Sequence, residues 1–291
     1  MFGSKYIAEF RKARLTVGVL SPFLLSATLN AQSSDTIPRP TVEDLAYAET
    51  SPAEKLDLYL PKSSGSVVPL VIWIHGGGFR VGDKRSMPRR DFGPAPKPTS
   101  NDGPYQIQVP DVAALNAKGY AVVSLNYRLG MDLVPAVQDG KAAVRFLRAN
   151  AAKYHLDPDK FAVWGNSAGG IMAGLLGVTG DQRTIFDDPS LGNADVSSAV
   201  QAVVIWFGAI DRDISKHLSK AKCVPPFMIA NGDADPVIWP LMAERLHDAL
   251  IKAGVKSTLT ILPGAGHEDP AFMATQMPPT ISFLDKTFAR P

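Results

Sequence analysis

A serine hydroxyl attacks a carbonyl carbon only when a base within hydrogen-bond reach takes its proton, and a carboxylate must hold that base in the correct tautomer. The 291-residue chain carries one constellation with the residue types and spacing for this chemistry: Ser167, Asp235 and His267. Ser167 lies in Gly165-Asn166-Ser167-Ala168-Gly169-Gly170, between the apolar run Phe161 to Trp164 and the helix-like run Ile171 to Leu176. Three fixed positions of a Gly-x-Ser-x-Gly pattern recur by chance in roughly one chain in ten of this length. A strand before the pattern and a helix after it make coincidence much rarer. The glycines have a steric purpose, because a sharp strand-to-helix turn strains the serine backbone and leaves no space for side chains beside it.

A second motif, His75-Gly76-Gly77-Gly78-Phe79, also follows a buried-strand pattern. Successive glycines leave backbone N–H groups uncovered, so a ligand oxygen can approach them closely. Donors aimed at a tetrahedral intermediate each contribute about 3 kcal/mol of transition-state stabilisation. The competing readings are a flexible turn and a phosphate-binding loop. Neither Gly-x-Gly-x-x-Gly nor a Lys-Ser/Thr ending accompanies the motif, which counts against phosphate.

Five histidines compete for the role of base. His75 belongs to the glycine motif, His155 precedes Leu156-Asp157-Pro158, His217 lies among lysines, and His247 falls inside an amphipathic helix pattern. His267 instead follows the strand pattern Ser257 to Leu262 through Pro263-Gly264-Ala265-Gly266. That is a loop at the C-terminal end of a strand, where open α/β sheets place their ligands. Two acids compete as its partner, since Asn231-Gly232-Asp233-Ala234-Asp235-Pro236 follows the strand pattern Pro226 to Ala230. Asp235 precedes proline and is pushed toward an extended backbone; Asp233 suits a turn.

The elements that must position these residues are legible from periodicity. Near-continuous apolar runs at Val67 to Ile74, Tyr120 to Leu125, Phe161 to Trp164, Gln201 to Phe207, Pro226 to Ala230 and Ser257 to Leu262 suit strands buried on both faces. Thr41 to Leu60 alternates around Pro52 like two short strands joined by a turn. Helix patterns at Pro135 to Asn150 and Pro240 to Ala253 fall between strand runs. Alternation of this kind predicts βαβ units: an α/β fold with a mostly parallel sheet, helices on both faces, and an antiparallel edge at the N-terminal side. The proline-rich Arg85 to Pro110 breaks the rhythm and reads as a long surface excursion, either a wall of the substrate site or an insertion without a role.

Composition narrows the function class. Thirty basic residues against 28 acidic ones give a formal charge of +2, too weak a field to point to nucleic acid as a partner. Cys223 is the only cysteine, which excludes an intramolecular disulfide and argues against a Cys-x-x-Cys redox site or a thiol-ligated metal site. No stretch approaches the ~20 apolar residues of a membrane span. Lys5, Arg11, Lys12 and Arg14 precede an apolar run, Leu15 to Leu29, and then Asn30-Ala31-Gln32. This is the order of a secretory signal. The expectation is a leader over residues 1–31, a catalytic domain over 32–291, and a secreted or periplasmic location. The competing reading is an amphipathic N-terminal helix.

Taken together, these residues resemble the esterase and lipase part of the α/β-hydrolase superfamily. The resemblance is to His-Gly-Gly-Gly carboxylesterases related to hormone-sensitive lipase and to acetyl xylan and feruloyl esterases. It extends to His75 through Lys84, to Asn126-Tyr127-Arg128-Leu129, and to Asp139 through Asn150 leading into Leu156-Asp157-Pro158. It implies the α/β-hydrolase fold, an oxyanion hole from the N–H groups of Gly77, Gly78 and Ala168, and structural rather than catalytic roles for His75 and Arg128. Three departures stand out: Asn166 where an acid often precedes the nucleophile, Glu268 where many relatives have glycine, and an Arg85 to Pro110 segment longer than the simple form of the family requires.

The expected activity is ester hydrolysis through an acyl-enzyme, on short-acyl or carbohydrate-linked small-molecule esters, with no metal or organic cofactor. Trp239 and Phe79 either line the pocket or pack in the core. The rivals are a peptidase of prolyl-oligopeptidase type, which shares the order Ser, Asp, His but carries a large extra domain, and a hydrolase-fold binding protein without chemistry. Acyl and alcohol specificity and oligomeric state have no signature in the sequence.

Overall fold

The strands predicted from apolar runs form a single eight-stranded sheet in a computed structural model of the chain. The structure describes residues 38–62, 66–85, 110–130, 132–180, 182–219, 221 and 223–289. The leader expected over residues 1–31 lies outside them, as do residues 86–109 of the proline-rich excursion. The strands are β1 (Val42–Ala46), β2 (Lys55–Tyr59), β3 (Val68–Ile74), β4 (Ala121–Leu125), β5 (Leu156–Asn166), β6 (Ala202–Trp206), β7 (Phe227–Gly232) and β8 (Ser257–Leu262). Their spatial order is β1-β2-β4-β3-β5-β6-β7-β8. The strands from β4 to β8 in that order pair in parallel, and β1 and β2 add the antiparallel edge. The sheet class, the antiparallel edge and the strand count follow the sequence patterns.

Among the described residues there are six α-helices: α1 (Val112–Ala117), α2 (Leu133–Ala149), α3 (Ala168–Thr179), α4 (Asp211–Leu218), α5 (Pro240–Lys252) and α6 (Ala271–Phe288). Each sheet face has its own core because alternate strand residues point opposite ways. One face is aliphatic: Leu70, Ile72 and Ile74 of β3 and Val163 of β5 meet Val144, Leu147, Met172 and Leu175 from α2 and α3. The other face is aromatic, with Trp73, Trp164 and Trp206 beneath Leu115 of α1 and Phe272 and Leu284 of α6. A buried Leu or Phe contributes roughly 1.5–3 kcal/mol relative to an exposed one, so these two layers dominate stability.

Three boundaries differ from the sequence patterns. Helix α2 starts at Leu133, two residues before Pro135, because the Asp132 carboxylate accepts from Val134 N–H and caps it there. Strand β5 starts at Leu156, and the register slips between its pairings with Val68 and Leu70, so Asp157 to Lys160 bulge out. Helix α6 contains Pro278 and Pro279, residues that local rules read as a break. Burial of Phe272, Met277 and Leu284 against the sheet overrides that signal.

Candidate active site

Strand order reverses at β3, whose successor β4 lies on one side and whose later neighbour β5 lies on the other. Such a switch point opens a crevice at the C-terminal ends of the strands. The glycine motif leaves β3 into this crevice, and Ser167 leaves β5 into it. The loops after β7 and β8 deliver Asp235 and His267 to the same end of the sheet.

Ser167 occupies the turn between β5 and α3 with φ 53° and ψ −120°, a left-handed conformation that side-chain-bearing residues avoid. The surroundings hold it there. Ser167 N–H donates to Trp206 C=O at 3.1 Å, and Gly170 N–H donates back to Ser167 C=O at 2.9 Å. A Cβ at Gly169 would lie 2.0 Å from Ile74 C=O, so only glycine lets the elbow press against β3. This is the steric purpose read from the sequence.

The three candidate residues meet. His267 Nε2 lies 2.9 Å from Ser167 Oγ, and His267 Nδ1 lies 2.8 Å from Asp235 Oδ2. The Asp235 carboxylate is buried, and its second oxygen accepts from Val237 and Ile238 N–H at 2.8 and 2.9 Å. Both oxygens are therefore occupied and the carboxylate cannot rotate freely. Asp233, the competing acid, is exposed and accepts from Gly264 N–H at 2.6 Å, tying the β7 turn to the loop that carries His267.

The glycine motif lies beside the elbow: a Cβ on Gly76 would come within 3.0 Å of the Ser167 Cβ. Gly77 and Gly78 both have positive φ, and Gly77 C=O accepts from Arg80 and Val81 N–H, closing the loop into a tight turn. Ala168 opens α3 directly after the serine. His75 is buried, with Nδ1 2.8 Å from Gly76 C=O and its ring stacked on Tyr127 at 4.4 Å. Burial pushes its pKa down to about 4, so the imidazole is neutral at ordinary pH. Tyr127 O–H donates to His75 C=O at 3.0 Å, pinning the start of the loop. Beyond the loop, Lys84 N–H donates to Asn126 Oδ1 at 2.6 Å, and its buried ammonium pairs with Asp57 at 2.9 Å. Arg128 pairs with the buried Asp139 at 2.7 Å. His75 and Arg128 are thus each held by contacts within the fold.

Trp239 is 59% exposed and Phe79 is half-buried against Tyr127, so the indole is not core. Val237 and Leu241 beside it are exposed as well. One neighbour of the site had no chemical signal in the sequence. Phe207, which reads there as the last residue of an apolar strand, packs edge-on against His267 at 5.1 Å.

A family model described as BD-FAE matches residues 56–94 and 99–223, more than half of the chain and the part that holds the glycine motif and Ser167. The chain belongs to the BD-FAE family. A model described as the prolyl oligopeptidase family matches residues 211–290, where Asp235 and His267 lie. Among curated relatives, "Secreted lipase 5" of Gibberella zeae is 30% identical over 158 residues, which cover 51% of this BD-FAE chain and 28% of that protein. "Esterase LipQ" of Mycobacterium tuberculosis is 22% identical over 260 residues, covering 77% and 56%. The chain therefore spans less than two thirds of the length of these relatives. Among solved structures, a "truncated form of carbohydrate esterase from gut microbiota" superposes with a TM-score of 0.70 and 25% identity, covering 84% of this chain and 95% of that one. "Thermogutta terrifontis esterase 2" superposes with a TM-score of 0.67 at 20% identity, covering 84% and 94%, and so shares the fold. The BD-FAE chain has the α/β-hydrolase fold expected from its motifs.

Proposed function

We propose that this protein is a serine hydrolase that cleaves carboxylic esters through a covalent acyl-enzyme. The observation that carries the reading is the unbroken relay from Ser167 Oγ to His267 at 2.9 Å and from His267 to the buried Asp235 at 2.8 Å. His267 takes the Ser167 proton as Oγ attacks the ester carbonyl, and Asp235 holds the imidazole and stabilises the imidazolium that forms. The N–H groups of Gly77, Gly78 and Ala168 receive the oxyanion. His267 then hands its proton to the departing alkoxide, and water repeats the cycle on the acyl-enzyme.

Short-acyl or carbohydrate-linked esters are the proposed substrates. An exposed indole four residues past Asp235 offers a flat apolar face of the kind that stacks on a ring, and one structural relative is described as a carbohydrate esterase. Export to the periplasm or the exterior is part of the proposal and rests on the basic-then-apolar order of residues 5–29. A second reading, a peptidase, is favoured by the prolyl oligopeptidase match over residues 211–290.

The test is hydrolysis of p-nitrophenyl acetate, butyrate and octanoate, beside peptidyl p-nitroanilides, by the wild type and Ser167→Ala. Ester turnover that falls with chain length and vanishes in the variant supports the proposal. Turnover of anilides alone moves the peptidase reading ahead, and full activity in Ser167→Ala rejects the assignment of the nucleophile.

A further inference from the structure

Two hydrogen bonds hold His267, one at each ring nitrogen. With the Cβ–Cγ bond as a third anchor these bonds fix where the imidazole points, and rotation about χ1 and χ2 leaves only a small rocking of its plane. A packed neighbour narrows that rocking. Phe207 is placed to do so: its ring stands edge-on to the imidazole, with centroids 5.1 Å apart and planes at 73°. The ring is itself held, edge-on to Phe272 at 4.7 Å, and is 4% exposed.

The backbone here is unusual for a bulky residue. Phe207 has φ 36°, in the left-handed region where a side chain crowds its own carbonyl. Phe207 N–H donates to Ala230 C=O at 2.8 Å, which extends the pairing of β6 with β7 past the strand end. On either side, Trp206 C=O accepts from Ser167 N–H, and Gly208 approaches Ser167 so closely that a Cβ would lie 2.4 Å from its carbonyl oxygen. Three consecutive residues thus touch the nucleophile's backbone and the base's ring. Strained residues persist where the surroundings over-determine them, and they cluster at functional sites.

We infer that Phe207 is a positioning residue that sets the plane of the His267 imidazole for delivery of its proton to the leaving group; this rests on the Ser-His-Asp esterase reading. In acylation the Ser167 Oγ–carbon bond forms, the ester carbon–oxygen bond breaks, and the proton passes from Oγ to Nε2 and then to the departing oxygen. The first transfer follows an existing 2.9 Å contact. The second requires Nε2 to aim at a different oxygen, so it depends more on ring tilt. p-Nitrophenolate leaves without a proton, whereas ethoxide does not.

p-Nitrophenyl acetate and ethyl acetate pass through the same acetyl-enzyme, so a comparison of their kcat/KM values isolates this proton. Phe207→Met keeps apolar bulk without a ring, and Phe272→Leu removes the backing of the Phe207 ring without touching His267. The expected result is a fall in kcat/KM for ethyl acetate about tenfold larger than for p-nitrophenyl acetate in Phe207→Met, and a smaller difference in the same sense in Phe272→Leu. If Phe207→Met does not fold, the Phe272→Leu ratio decides. Equal falls on the two esters, with an active wild type, overturn the positioning role and leave the esterase reading standing. A wild type inactive on both esters overturns the esterase reading and the inference with it.

Discussion

The two ends of the sheet are built from the same strands and differ in kind. At the end where β6, β7 and β8 begin, a groove of about 990 Å³ is lined by Leu218, Phe227, Ile251, Phe283 and two lysines, Lys256 and Lys286. Cys223 and Ser257 also line it, yet the described residues lining it include no histidine or carboxylate. At the opposite end the backbone is strained: Phe79, Ser167, Phe207 and Glu268 all have positive φ, each costing of order 1–3 kcal/mol. A histidine there is buried neutral, and two carboxylates within three residues have different partners, Asp235 meeting His267 and Asp233 meeting Gly264 N–H. The contrast teaches that converging polar side chains and strained backbone single out the proposed site, and that a groove by itself does not.

The sharpest way to break this comparison is at the nucleophile. Ser167→Ala is expected to lower kcat on p-nitrophenyl acetate by about 10⁶-fold with unchanged far-ultraviolet circular dichroism. Ile251→Ser, in the groove at the other end, should alter kcat/KM less than twofold. A larger loss from the groove variant would end the division between the two ends.

Next in size is the contest between the acids. Asp235→Asn should cost about 10⁴-fold in kcat, because an amide cannot hold His267 in the tautomer that accepts the serine proton. Asp233→Asn should cost less than tenfold, its bond to Gly264 N–H being one that an amide oxygen also makes. Comparable losses in steady-state assays would reverse the assignment.

Strain and burial near the site also predict a pH dependence. The His75 pKa lies at about 4 in the folded protein and near 6.5 when unfolded, so the folded state refuses a proton that the unfolded chain accepts. This contribution to stability is intact above pH 6.5 and is lost as pH falls toward 4, by about 3 kcal/mol in all. Urea midpoints for the wild type and His75→Gln at pH 7.5, 5.5 and 4.5 check it. The gap between the two proteins should narrow as pH falls; a constant gap would mean that His75 does not control it. The smallest expected effect is at the rim: Trp239→Ala should raise KM for a ring-bearing acetate ester several-fold and leave ethyl acetate within twofold. Equal changes would remove the indole from substrate recognition.

Much of this site was readable because its chemistry is local in sequence. The glycines around Ser167 and the motif from His75 to Phe79 each lie within a few residues, and a strand pattern precedes both. The proline after Asp235 separated it from Asp233 by backbone preference alone. Phe207 had no such signature, since an aromatic at the end of an apolar run reads as core, and only the adjacency of β6 to β5 and β7 puts it beside His267. Helix α6 was hidden for a related reason: Pro278 and Pro279 are local breakers that tertiary burial outweighs.

The amino-acid sequence by itself determined the layered α/β class, the strand runs and the residue types able to activate a serine. These depend on periodicity and turn sterics over spans of ten residues or fewer. The tertiary structure alone decided that residues 32 and 100 positions apart come within hydrogen-bond distance, that Asp233 braces a loop, and that an aromatic ring packs edge-on against an imidazole. Those outcomes depend on which strands lie side by side. Strand order is set by the packing of two cores against one sheet, a property of the whole chain that no local window contains.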